Sequence, residues 1–136
     1  MMSAVGRMTL SAWLSCSLLG LGIRPAHAAD PSYSLRWEVP AAKRGERALV
    51  RLHLAPGKGY HVNKEFPTAL TVAVLTGVAV DKPTSKVEEA GADFEVALTA
   101  AEPGKKVVTG DLKFAVCSAT SCDPKREKVS FTVDVK

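Results

Sequence analysis

The chain has 136 residues, of which 24% are charged and 6% aromatic, with a formal net charge of +4. That length holds one hydrophobic core rather than several. Lys and Arg are scattered singly with few aromatics between them, which excludes the basic stripe of a nucleic-acid-binding surface.

The N-terminus reads as a leader. Arg7 supplies one positive charge, Met8 to Ile23 is an uncharged run of 16 residues, and Ala26-His27-Ala28 follows Arg24 and Pro25. A basic start, an apolar centre and an A-x-A site make a secretory signal peptide. The run is too short and too rich in Gly, Ser and Thr for the ~20 apolar residues of a membrane span. Cleavage is expected after Ala28, with Ala29 a close alternative. Cys16 would leave with the leader; a lipoprotein reading of Cys16 fits poorly with the preceding Trp13-Leu14-Ser15. The domain expected to remain spans 29–136. Two of the eighteen basic residues lie in the leader, so this domain carries +2. Export places it in the periplasm or outside the cell, where disulfides persist.

The rest of the chain alternates between apolar and polar residues. Tyr33, Leu35, Trp37 and Val39 alternate with Ser34, Arg36 and Glu38, and Pro40 ends the run. Ala48, Val50, Leu52 and Leu54 form a second such set, and Pro56-Gly57-Lys58-Gly59 marks a turn. Tyr60 to Asn63 is a short third strand. Leu70, Val72 and Val74 follow, then Val78 and Val80. Asp81 to Gly91 is polar and is expected to be a loop, with one helical turn at most around Val87 to Ala90. Phe94, Val96 and Leu98 alternate again. Glu102-Pro103-Gly104-Lys105 turns the chain into two long final runs, Val108 to Val116 and Glu127 to Val135. About eight short strands separated by turn signals predict an all-β sandwich.

Cys117 and Cys122 stand between the two final runs, four small or hydroxylated residues apart. A β-hairpin there puts one cysteine near each strand end. Facing positions on an antiparallel pair have Cα atoms ~4.5–5.5 Å apart, which a disulfide can bridge. A ring of ~6 residues contributes roughly 2 kcal/mol by loop entropy, half the value of a long cross-link. A bridge at a hairpin tip is also open to a partner's thiol, as exchange requires. Cys117 shares parity with Lys113 and Ala115, off the core-facing set, and is expected to be unburied. Lys113, Lys125 and Arg126 are candidates for favouring a thiolate. On these grounds a redox pair and a structural staple both remain open.

No Ser-His-Asp pattern, phosphate loop or carboxylate dyad is visible. His53 and His61 are the candidate imidazoles for a copper or zinc site with the two thiolates. They occur singly, and His53 has the outward parity of a solvated residue, so no metal and no small-molecule cofactor is expected. Glu88 and Glu89 are adjacent and point to opposite faces of an extended chain.

The segment Phe114-x-x-Cys117-x4-Cys122-x-Pro124, with its alternating strand to Val135, resembles the N-terminal periplasmic domain of the DsbD family of thiol:disulfide interchange proteins. Gly59-Tyr60-His61-Val62, followed by Pro67, resembles that family's early strand. The resemblance covers most of residues 33–136, and its specific part is the cysteine hairpin. It implies an immunoglobulin-like sandwich that carries reducing equivalents from a membrane-embedded thiol reductant to periplasmic thioredoxin-like proteins. It also implies that Cys122 forms the mixed disulfide and Cys117 resolves it. Three features depart from the family pattern. The chain shows neither a multi-helix membrane domain nor a thioredoxin-like one. The cysteines are more closely spaced than is usual there. The stretch matching the family's shielding loop, roughly Lys82 to Gly91, lacks an aromatic residue and has Val87 as its only sizeable apolar side chain. The alternative class is a non-catalytic binding or assembly module in which the disulfide only pins the hairpin.

Overall fold

The computed structural model describes residues 31–136; the expected leader, its cleavage site and Cys16 lie outside the described residues. Nine strands follow one another: β1 (Tyr33–Glu38), β2 (Arg47–Pro56), β3 (His61–Val62), β4 (Ala69–Val72), β5 (Val78–Val80), β6 (Thr84–Glu88), β7 (Gly91–Ala100), β8 (Gly104–Cys117) and β9 (Cys122–Val135). They form two antiparallel sheets. One runs β1-β2-β7, with β5 and β6 sharing the far edge of β7; in the other, β8 is flanked by β9 on one side and by β3 and β4 on the other. Taking β5 and β6 as one interrupted strand, and β3 and β4 as another, gives four strands facing three. That is the arrangement of an immunoglobulin-like sandwich.

The period-2 pattern decides which side chains face inward. Val50, Leu52 and Leu54 on β2 and Phe94, Val96 and Leu98 on β7 meet Val108, Leu112, Phe114 and Val116 on β8 and Phe131 and Val133 on β9, all buried. Tyr33 packs edge-on against Phe114 with ring centroids 4.8 Å apart, and Trp37 meets Phe131 at 4.6 Å, so β1 is held to the opposite sheet by aromatic contacts. After Pro40 the chain crosses between sheets. Ala42 bridges Val135, and Arg44 N donates to the Lys136 carbonyl, covering the end of β9.

Two expectations fail in the middle of the chain. The polar stretch 81–91 contains β6, paired with β7 from Thr84↔Glu95 to Glu88↔Gly91, rather than a loop or a helical turn. An edge strand needs one backbone partner and few buried side chains. Val87 supplies its half-buried contact, and Lys86 and Glu88 lie exposed. The Leu70-Val72-Val74 alternation also stops short. β4 ends at Val72, Val74 is 99% exposed, and Leu75 takes the inward place before the Gly77 turn.

Candidate functional site: the Cys117–Cys122 hairpin

β8 and β9 pair over their whole length, from Gly104↔Val135 to Cys117↔Cys122. The cysteines are therefore the closing pair of the hairpin, joined as a disulfide with Cα atoms 3.9 Å apart. Residues 118–121 form the tip. Ser118 N donates to the Ser121 carbonyl at 2.7 Å, and the Ser118 hydroxyl accepts from the backbone N–H of Thr120 at 3.3 Å and of Ser121 at 3.2 Å. One short side chain thus satisfies two amides of the tip, as Ser does in many turns.

The two cysteines differ in exposure. Cys122 is exposed on the hairpin's edge strand, whereas Cys117 is 3% exposed. This corrects the expectation that Cys117, off the core parity, would be unburied. β8 is a central strand, so β3 and β9 cover Cys117 from both sides. The β3–β4 connection also folds over the outer face of β8. Asn63 N donates to the Ala115 carbonyl at 2.9 Å, and the Phe66 ring lies 5.3 Å from the Lys113 ammonium. Ala115, the neighbouring outward residue, is buried as well. Outward parity means solvent only where nothing crosses the sheet.

Two of the three expected thiolate-favouring cations are engaged elsewhere, and Arg126 makes no ion pair among the described residues. Lys125 is ion-paired with Asp123, and Lys113 stands over Phe66. Lys113 is also four residues along the strand from Cys117, about 13 Å at the usual rise. That exceeds the ~8 Å screening length at physiological salt. Behind the hairpin, the Tyr33 hydroxyl donates to the Glu127 carboxylate. Burial, that hydrogen bond and the nearby Glu127 and Asp123 charges push the Tyr33 phenol up to about 12.

The histidines separate. His61 is the register partner of Cys117, with Val62 opposite Val116. Val62 is fully buried, so His61 lies on the outer face beside Cys117, and it is exposed. Residue type alone raises His61 as a companion of the thiolates, but its place beside Cys117 has no local signal, because 56 positions separate the two residues and only the sheet order joins them. His53 lies on the outer face of the other sheet. It is half-buried rather than solvated: Nδ1 is 2.5 Å from Asp93 Oδ1 and Nε2 is 3.3 Å from Glu38 Oε2. Hydrogen bonds from Arg36 and then His53 hold the Glu38 carboxyl below its ordinary range. A shallow, mixed-charge groove runs along this face past Arg51, Lys86 and Glu95. Among the described residues, no group of three or more His, Cys, Asp or Glu is arranged to hold a metal ion. Glu88 pairs with Lys86 and Glu89 with Lys64.

The turn after β6 lies where the resemblance expects a shielding loop. Val62 N donates to the Glu89 carbonyl at 2.9 Å, so this turn closes the free edge of β3, one strand away from Cys117. The turn carries no aromatic side chain; the aromatic over the outer face of β8 is Phe66, from a different connection.

No family model matches the chain, and no curated protein matches it. Among solved structures, the ASH/PapD-like domain 7 of human CEP192 aligns over 96% of this chain and 96% of its own length, with a TM-score of 0.41 and 12% identity. At that level the likeness transfers no function to this chain.

Proposed function

We propose that this chain is an exported thiol–disulfide exchange carrier of the DsbD N-terminal type. In this reading it passes reducing equivalents from a membrane-embedded thiol reductant to periplasmic thioredoxin-like proteins through Cys117 and Cys122. The observation that carries the reading is the asymmetry of the bridge: an exposed Cys122 at a hairpin tip, joined to a Cys117 that is 3% exposed. Exchange requires one sulfur within reach of an attacking thiolate and a second to leave and return. The exposed Cys122 suits the mixed disulfide, and the sheltered Cys117 suits the resolving thiol. A bridge closing an already paired hairpin contributes roughly 2 kcal/mol by loop entropy, so stability alone is a weak reason for it.

The test is trapping. Cys117→Ala is expected to accumulate a covalent adduct with a periplasmic thioredoxin-like protein, and Cys122→Ala is not. Adducts from Cys122→Ala alone would keep the exchange function and reverse the two roles. If neither variant traps a partner and the oxidised bridge has a reduction potential below about −300 mV, the range of structural disulfides, the carrier reading falls. The chain would then be a binding or assembly module with a stapled hairpin.

A further inference from the structure

The row across the second sheet reads His61–Cys117–Cys122, one residue from each of β3, β8 and β9. Register partners on one face of an antiparallel pair have Cβ atoms about 4.5–5.5 Å apart. That places the His61 side chain beside Cys117 on the outer face, on the side away from Cys122. On the surrounding elements Glu89 is paired with Lys64, Glu88 with Lys86 and Asp123 with Lys125, while among the described residues Lys58, Glu65 and Arg126 form no ion pair. Among the described residues, His61 makes no side-chain hydrogen bond or ion pair. It is a free titratable group beside a buried sulfur.

We propose that His61 is the proton donor and acceptor for Cys117 during exchange, an inference that rests on the exchange reading above. An incoming thiolate attacks Cys122 Sγ. A new sulfur–sulfur bond forms there as the Cys117–Cys122 bond breaks, and the bonding pair leaves on Cys117 as thiolate. A thiolate in so sheltered a position is costly. The imidazolium of His61 gives it a proton, leaving a neutral thiol and a neutral imidazole. The donor's second thiolate then attacks its own sulfur in the mixed disulfide and expels Cys122 as thiolate, so the donor's dithiol is oxidised and the chain is reduced by two electrons. In the delivery half, the Cys122 thiolate attacks an acceptor disulfide and expels one acceptor sulfur as thiolate. His61 takes the proton back from Cys117, whose thiolate attacks Cys122 Sγ, expels the acceptor's other sulfur and restores the bridge, passing the two electrons on. Histidine suits the task because its class changes charge between about pH 5 and 8.

The experiment is reduction of the oxidised chain by dithiothreitol across about pH 5.5–8, with rates expressed per unit of dithiothreitol thiolate. His61→Gln and His61→Phe are compared with His53→Gln, which lies on the other sheet. The wild type and His53→Gln are expected to slow as pH rises and the imidazolium is lost. Both His61 variants are expected to be flat with pH, and slower at the acid end by about a hundredfold, the lower part of the range for positioned acid–base groups. Circular dichroism matching the wild type confirms that each variant folds, and two unlike substitutions guard against one that does not. If folded His61 variants follow the wild-type curve, His61 has no such role and the exchange reading stands. If dithiothreitol reduces the wild type at no pH, both readings fall together.

Discussion

Tyr33 joins β1 to the cysteine hairpin through one ring and one hydroxyl. The ring packs on Phe114, and the hydroxyl donates to Glu127 on β9. Its phenol is raised to about 12, with burial the largest cause and Glu127 next. A raised folded-state value means the fold favours the protonated form. The stability this contributes is complete below the unfolded value of about 10 and is lost as pH rises from there through about 12. Alkaline titration followed by phenolate absorbance should show a late component that Tyr33→Phe removes, and the stability of Tyr33→Phe should fall less steeply over that window. Titration of the Tyr33 phenol at about pH 10 would mean the Glu127 contact is absent. Sequence placed Tyr33 on an inward face by alternation alone. Its hydroxyl partner, 94 positions away, depends on which strand packs opposite. Cys117 makes the same point: its parity was legible, and its burial was not.

β8 is the element that organises the second sheet, and Gly110 is its closest point of approach. A Cβ there would stand 2.5 Å from the Thr71 carbonyl oxygen of β4, which pairs with this stretch as Val72↔Gly110. Gly110→Ala must push β4 away from β8 or bend the strand. Denaturant unfolding should show a loss of about 1–3 kcal/mol, the usual cost of overpacking; a neutral result would show that β4 yields freely. The same scale explains the failed expectation at β6. Alternation identifies strands with one buried face, and Thr84–Glu88 buries little beyond half of Val87. Its strand character comes from the unpaired edge of β7, a property of the sheet rather than of the segment. The hairpin, by contrast, was legible, because two long alternating runs joined by a short link of small and polar residues have little choice but to pair.

At the scale of the whole described chain, residues 31–136 are two sheets sharing one core, with Phe94 and Phe114 fully buried on opposite inner faces. Phe→Ala in a core costs about 3–5 kcal/mol, a large part of the ~5–15 kcal/mol that holds a domain together. Phe94→Ala should therefore lower the melting of both sheets at once. Trp37 fluorescence and far-ultraviolet circular dichroism should shift together, because a domain of this size unfolds as a unit. Separated transitions would mean that the sheets are independently stable. A single core also bears on the site. β3 is only two residues long, and its hold on Cys117 comes from the buried Val62 and the hydrogen bond to Glu89.

By itself the sequence determined the positions and inward faces of most strands, the turns between them, and the facing of Cys117 and Cys122. These are local matters, set by a two-residue period and by Gly and Pro punctuation. The tertiary structure decided what lies beside and above each strand. It set β6 on the edge of β7, folded the β3–β4 connection over β8, buried Cys117 against its parity, and put His61 next to it. Neighbours in a sheet are chosen by the packing of the whole core, so residues far apart in the chain became one site only once the two sheets closed.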